Sequence, residues 1–151
     1  MHRKVTPTEL ALFSRSPVIG AWWEQLNKVD SKRAPKPKAD LLDQFLFESG
    51  HKHEELLIKD LEAKGKKVKK LSGKMTIKAF EETLHAIRDG QYDFIHQASL
   101  QNNELRGSAD LLERIDKPSK LGNWSYIPIE CKLSSHPKPI YLVQALSLIH
   151  I

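Results

Sequence analysis

"RGSADLLERIDKPSKLGNWSYIPIECKLSS", residues 106–135, decides how the chain is read. Two largely apolar runs flank the polar stretch "KPSKLGN", which has the composition of a turn between two strands. Each run carries an acid where an apolar residue is expected. Asp110 lies between Ala109 and Leu111, and Glu130 follows Tyr126, Ile127 and Ile129. On a strand, Glu130 and Lys132 share a face, because side chains alternate. Asp110 and Glu130 are 20 residues apart (130 − 110), and a hairpin turning at "KPSKLGN" brings their strands together. Adjacent strands lie roughly 4.8 Å apart, so two carboxylates on one face can share a divalent cation.

Chemistry assigns roles to this group. Hard cations such as Mg²⁺ take carboxylate oxygens and keep several waters. A bound cation acidifies its water and neutralises charge on a phosphoryl oxygen. The Lys132 ammonium beside it positions that water or stabilises developing charge. Asp110, Glu130 and Lys132 together suit hydrolysis of a phosphodiester. The acid–x–Lys tripeptide alone says little, since Asp30–Ser31–Lys32 and Glu62–Ala63–Lys64 repeat it in a loop and on a helix. A third ligand is expected from a helix, and "ESGHKHEELL" (48–57) offers His51, His53, Glu54 and Glu55. Gly107 is expected to let backbone or substrate approach the strand edge closely. Cys131 is expected to face away from Glu130 and Lys132 as a small buried apolar residue.

Working outward, "YDFIHQASLQ" (92–101) alternates like a strand and "KKVKKL" (66–71) reads as a short one. "TIKAFEETLHAIRDG" (76–90) has apolar residues every three to four positions and a terminal glycine, the pattern of a helix. A second helix is expected from Asp40 as N-cap to a stop at Gly65, with Leu41, Leu42, Phe45, Leu46, Leu57 and Leu61 at helical spacing. "TPTELALFSRSPVIGAWWEQLN" opens on a capping box at Thr6 or Thr8 and is interrupted near Pro17. Trp22 and Trp23 are read as packing residues, "SKRAPKPK" (31–38) as a Pro-broken loop, and "PIYLVQALS" as the start of a helix. The order is helices, a mostly antiparallel three-strand group, then a helix. The class is α/β (α+β), with a mixed central sheet flanked by helices.

The totals set limits. The chain has 151 residues, enough for one domain with a core. Its one cysteine excludes an internal disulfide and a Cys-rich metal site. No apolar run approaches a membrane span, so no membrane partner is expected, and "MHRKVTPTEL" carries no secretory apolar region. A cytoplasmic location is the expectation. The net charge of +5 fits an anionic partner. Lys66, Lys67, Lys69 and Lys70 suit either phosphate contacts or a solvated helix end and edge strand. Arg106 and Arg114 flank the Asp110 strand as further candidate contacts to a DNA backbone.

Gly50–x–x–x–Glu54, Gly107–Ser108–Ala109–Asp110, Glu130–x–Lys132 and Gln144 stand in an order that resembles the motif set of the PD-(D/E)XK nuclease superfamily, in its RecB-like branch. The resemblance spans about residues 5 to 145. It implies a restriction-endonuclease-like core and a metal-dependent deoxyribonuclease serving DNA repair or recombination. It implies that Asp110 and Glu130 bind Mg²⁺ or Mn²⁺ with help from the Cys131 carbonyl, and that Lys132 is the catalytic lysine. Glu54 falls on the helical ligand position, with His53 as the competing ligand. Gln144 matches the glutamine of the following helix; Leu148 stands where a tyrosine is usual. Ser16–Pro17 stands where some relatives carry Cys–Pro, so no iron–sulfur cluster is expected. DNA is the implied partner, with a fused or associated helicase or second nuclease domain in the full-length protein. The alternative is a catalytically inactive nucleic-acid-binding domain of such a protein; a third is a structural interaction domain with no DNA affinity.

The final residues, "LSLIHI" (146–151), are also what the transposon end of common sequencing adaptors encodes in one reading frame. The expectation is a nuclease domain over residues 1–145, incomplete at its C-terminus, followed by a non-native tail at 146–151.

Overall fold

A computed structural model of the chain describes residues 4–18, 20–21, 40–134, 136 and 138–151. Trp22, Trp23 and the stretch 31–38 lie outside the described residues. The elements are α1 (Pro7–Arg15), α2 (Leu41–Ala63), β1 (Val68–Lys70), α3 (Ile77–Asp89), β2 (Phe94–Gln101), β3 (Arg106–Ile115), β4 (Ser125–Ile129) and α4 (Pro139–His150).

Local chemistry sets most of these boundaries. The Thr6 hydroxyl accepts from the Glu9 amide, and Glu9 accepts from the Thr6 amide in return, a reciprocal cap on α1. Asp40 and Asp43 cap α2 in the same way. Thr76 caps α3, which ends at Gly90 in the left-handed region (φ 64°). A Cβ at Gly90 would also meet the Trp124 ring at 2.6 Å.

The strands form one mixed sheet in the order β1-β2-β3-β4. The β2–β3–β4 meander is antiparallel, and β1 joins its edge parallel to β2, with α3 as the crossover between them. Helices cover both faces. Ile58 of α2 packs with Phe94 and Leu111 on one side. Ala86 of α3 and Leu148 of α4 pack with Ile95, Ala98, Ala109 and Leu112 on the other. Leu57 and Leu61 pack on the α2 side as their spacing suggests. Leu41, Leu42, Phe45 and Leu46 do not: all four are exposed, because the first half of α2 projects past the sheet contacts made by its second half. Leu148 is 3% exposed and lies inside the core; residues 146–150 form the end of α4, with Ser147 and Leu148 buried and Leu146 and Ile149 exposed.

The alternation of side chains breaks at one place. Ile95 and Ala98 face the same layer although they are three residues apart, and so do Leu112 and Ala109 opposite them. Between them, Gln97 adopts a left-handed backbone (φ 54°). His96 and Gln97 therefore both face α2, as do Leu111 and Asp110. Holding a non-glycine residue there costs about 1–2 kcal/mol.

Two expectations are corrected. The last strand ends at Ile129 rather than continuing through Glu130 and Lys132. Gly107 is buried, and a Cβ there would meet Pro7 at 2.8 Å and Leu148 at 3.0 Å. That glycine serves the packing of α1 and α4 on the sheet, not the approach of a substrate.

Candidate active site

The β3–β4 register pairs Leu111 with Ile129, so the next rung would set Asp110 against Glu130. That rung is replaced. The Cys131 amide donates to Asp110 Oδ2 at 2.8 Å instead of continuing the ladder. The side-chain carboxylate has outcompeted a backbone carbonyl, which is why β4 ends where it does. Released from the strand, Lys132 turns back onto Glu130, with Nζ 2.5 Å from Oε1. The two side chains meet through this ion pair rather than through strand alternation.

Glu54 comes from α2 and is 16% exposed. Its Oε2 accepts from Gln97 Nε2 at 2.9 Å, and His96 Nε2 lies 3.4 Å from the same oxygen. Burial raises the Asp110 carboxyl, Glu130 and more weakly Glu54 add to that, and the result is about 6 despite the Cys131 hydrogen bond and Lys132. Three carboxylates thus converge with only one ammonium to balance them. Burial works to lower the Lys132 ammonium, but its hydrogen bond and charge contact with Glu130 outweigh this and raise it. Lys132 Nζ also lies 5.9 Å from the centre of the Tyr141 ring.

An open cleft of about 200 Å³ is lined by Leu46, Phe47, His51, Glu54, Cys131 and Lys132. A larger hollow of about 780 Å³ lies between β1 and α3, lined by Lys69, Lys70, Glu81, Glu82 and Asp89 among others. The smaller cleft is the relevant one, because it touches Glu54 and Lys132 and the larger hollow touches neither.

The structure brings Glu54, Asp110, Glu130, Cys131 and Lys132 together and leaves other candidates apart. His53 is exposed on α2, so Glu54 is the helical residue that faces the sheet. The Cys131 side chain does not face away; it packs beside Ile58, Phe94 and Leu111 on the α2 side. Burial and then Asp110 push its thiol up to about 11, which keeps it protonated. Gln144 is half-buried on α4, three residues beyond Tyr141 and so on the same side of the helix. Lys70 is ion-paired with Glu62 at 2.8 Å, and Lys69 lies over the Tyr92 ring. Lys66, Lys67 and Arg106 are exposed. Arg106 precedes Asp110 by four residues, about 13 Å along the strand. Arg114 pairs with Asp116 and lies over Trp124. Sequence reasoning missed His96, Gln97 and Tyr141. Two adjacent polar residues inside an otherwise apolar strand were the signal available for the first two.

The donor set suits a hard divalent cation: Glu54, Asp110, Glu130 and the Cys131 carbonyl offer only oxygen. A cation would also relieve the repulsion that raises Asp110. Among the described residues, no three His, Cys, Asp or Glu side chains are already drawn together at ligating distance. Each carboxylate is held by a neighbour instead. Among the described residues, no helix is long and apolar enough to cross a membrane. No family model, curated protein or solved structure matches the chain.

Proposed function

We propose that the chain carries the nuclease domain of a RecB-like, metal-dependent deoxyribonuclease with a restriction-endonuclease-like core. One observation carries this reading: Glu54, Asp110, Glu130 and Lys132, from α2, β3 and the segment after β4, meet beside one cleft with the acids in excess. Asp110, Glu130, Glu54 and the Cys131 carbonyl would hold Mg²⁺ or Mn²⁺. When bound, the cation supplies an acidified water and neutralises charge on the phosphate. Lys132 places its ammonium where charge develops on the phosphodiester. Asp110 must be deprotonated to serve, and its raised pKa sets that limit. Tyr141 borders Lys132 from α4, with Gln144 one turn further along the same helix. Exposed Lys66 and Lys67 suit DNA phosphates outside the cleft, and a fused or associated helicase or second nuclease domain is the protein partner this reading implies.

A second reading has its own observation. Each acid is already satisfied within the protein, Glu130 by Lys132 and Glu54 by Gln97. That pattern suits a DNA-binding module whose catalytic site has degenerated. Incubation with labelled linear single- and double-stranded DNA separates the two. Mg²⁺- or Mn²⁺-dependent cleavage, abolished by EDTA and strongly reduced in Lys132→Ala, supports the nuclease. Salt-dependent binding by the folded protein without cleavage supports the module.

A further inference from the structure

Gln97 is the one non-glycine residue with positive φ among the described residues. It sits mid-strand, where nothing in the local sequence requires a turn. A strained backbone inside a regular element points to a constraint from elsewhere. The constraint is visible in its side chain. Nε2 donates to Glu54 Oε2 at 2.9 Å, and Oε1 lies 3.5 Å from the Ser108 hydroxyl. Gly73 makes room for this amide: a Cβ there would lie 2.4 Å from Gln97 Oε1. The seat is therefore built on three sides, by Glu54, Ser108 and Gly73.

The backbone and the side chain act together. Because the left-handed step puts residues 96 and 97 on the same face, both can address one Glu54 oxygen. Regular alternation would send Gln97 into the layer beneath α3 and leave Glu54 with His96 alone. The interruption is matched on β3, where Asp110 lies between the paired residues Ala109 and Leu111, at the level of Gln97.

We propose that Gln97 is a positioning residue of the metal site: its amide fixes the Glu54 carboxylate so that it faces Asp110. This role rests on the nuclease reading above. The amide donates to one Glu54 oxygen, leaves the other oxygen to a cation, and is not itself a ligand. Partners of this kind are worth about 10- to 100-fold in metal affinity.

The test is Mn²⁺ binding to the 151-residue chain, followed by the loss of the free-ion paramagnetic resonance signal. Wild-type binding that Asp110→Asn abolishes establishes the site; a wild type that binds no Mn²⁺ overturns the nuclease reading and this role with it. Gln97→Gly removes the amide while relaxing the backbone. It is expected to melt at or above the wild-type temperature, yet bind Mn²⁺ about 10- to 100-fold more weakly. Added to Glu54→Gln, it is expected to cause no further loss, because Gln97 acts through Glu54. Gln97→Asn tolerates the left-handed backbone but ends one methylene short, so it should show the same weakening in a fold that keeps its side-chain amide. Wild-type affinity in either Gln97 variant, or an undiminished loss on top of Glu54→Gln, would overturn the proposal.

Discussion

The Cys131 amide reaches the Asp110 carboxylate at 2.8 Å in the place where a β3 carbonyl would otherwise receive it. This hydrogen bond favours the charged carboxyl, but burial and the neighbouring acids prevail and raise its pKa from 3.8 to about 6. The folded state therefore holds the proton more tightly than the unfolded chain does. Its contribution to stability is complete below about pH 4 and is lost as pH rises through about 6. With allowance for its partial exposure, the loss is on the order of 1–2 kcal/mol. Asp110→Asn does not titrate. Its stability relative to wild type, from urea melts without metal, should grow by that amount between pH 4 and pH 7. A constant difference would contradict the assignment.

The same titration governs metal binding. Mn²⁺ affinity should fall steeply below about pH 6 in the wild type, as Asp110 takes up a proton. At pH 7, Mn²⁺ should raise the melting temperature of wild type and leave Asp110→Asn unmoved. Thermal melts with and without EDTA read both effects.

Lys132→Ala should lower kcat for DNA cleavage by about 10²- to 10³-fold, the usual loss of one electrostatic donor. It also frees Glu130 from its ion pair, so Mn²⁺ binding should persist or tighten. Reduced cleavage with retained metal is the pattern to look for. Joint loss of both would assign Lys132 to the fold instead.

The Cys131 thiol should be inert. Raising it from 9.0 to about 11 cuts the reactive thiolate roughly 100-fold. Alkylation at pH 8 should be slower than that of an exposed cysteine by about that factor. Cys131→Ala should cleave DNA normally, because only the backbone of residue 131 serves the site.

Thr83 is 1% exposed, and its hydroxyl donates to the Ala79 carbonyl and accepts from the Ser99 amide at 3.0 Å. Thr83→Val leaves that buried amide without its partner and should cost about 1–3 kcal/mol in a urea melt. Thr83→Ser keeps the hydroxyl and should lose less.

Features written into short stretches are legible in the sequence. Thr6, Asp40, Gly65 and Gly90 mark helix ends because caps depend on one residue and its near neighbours. The β3–β4 hairpin followed from its turn composition, and with it the approach of Asp110 to Glu130. What escaped depends on distant competitors. The end of β4 is set by a side chain 21 residues away, so the apolar pattern through Cys131 misled. Glu54 and His53 are adjacent, and only the placement of α2 on the sheet separates them. The left-handed step at Gln97 has no compositional signature, since glutamine gives no hint of positive φ. The close approach at Gly107 is legible as such, but not that Pro7 and Leu148 make it rather than a substrate, because a glycine in a strand does not say which neighbour needs the space.

That step at Gln97 also settles which residues of β2 can pair with β3. An ordinary antiparallel pair that slips by two residues keeps every side chain on its own side, so such slips go unpunished. Here the doubled positions on the two strands, His96–Gln97 and Asp110–Leu111, must coincide. A two-residue slip would set them out of phase, and Asp110 would sit against a neighbour still in regular alternation. The arrangement that turns Asp110 toward α2 thus works as a vernier: it admits one alignment of the two strands and rejects the nearest alternatives.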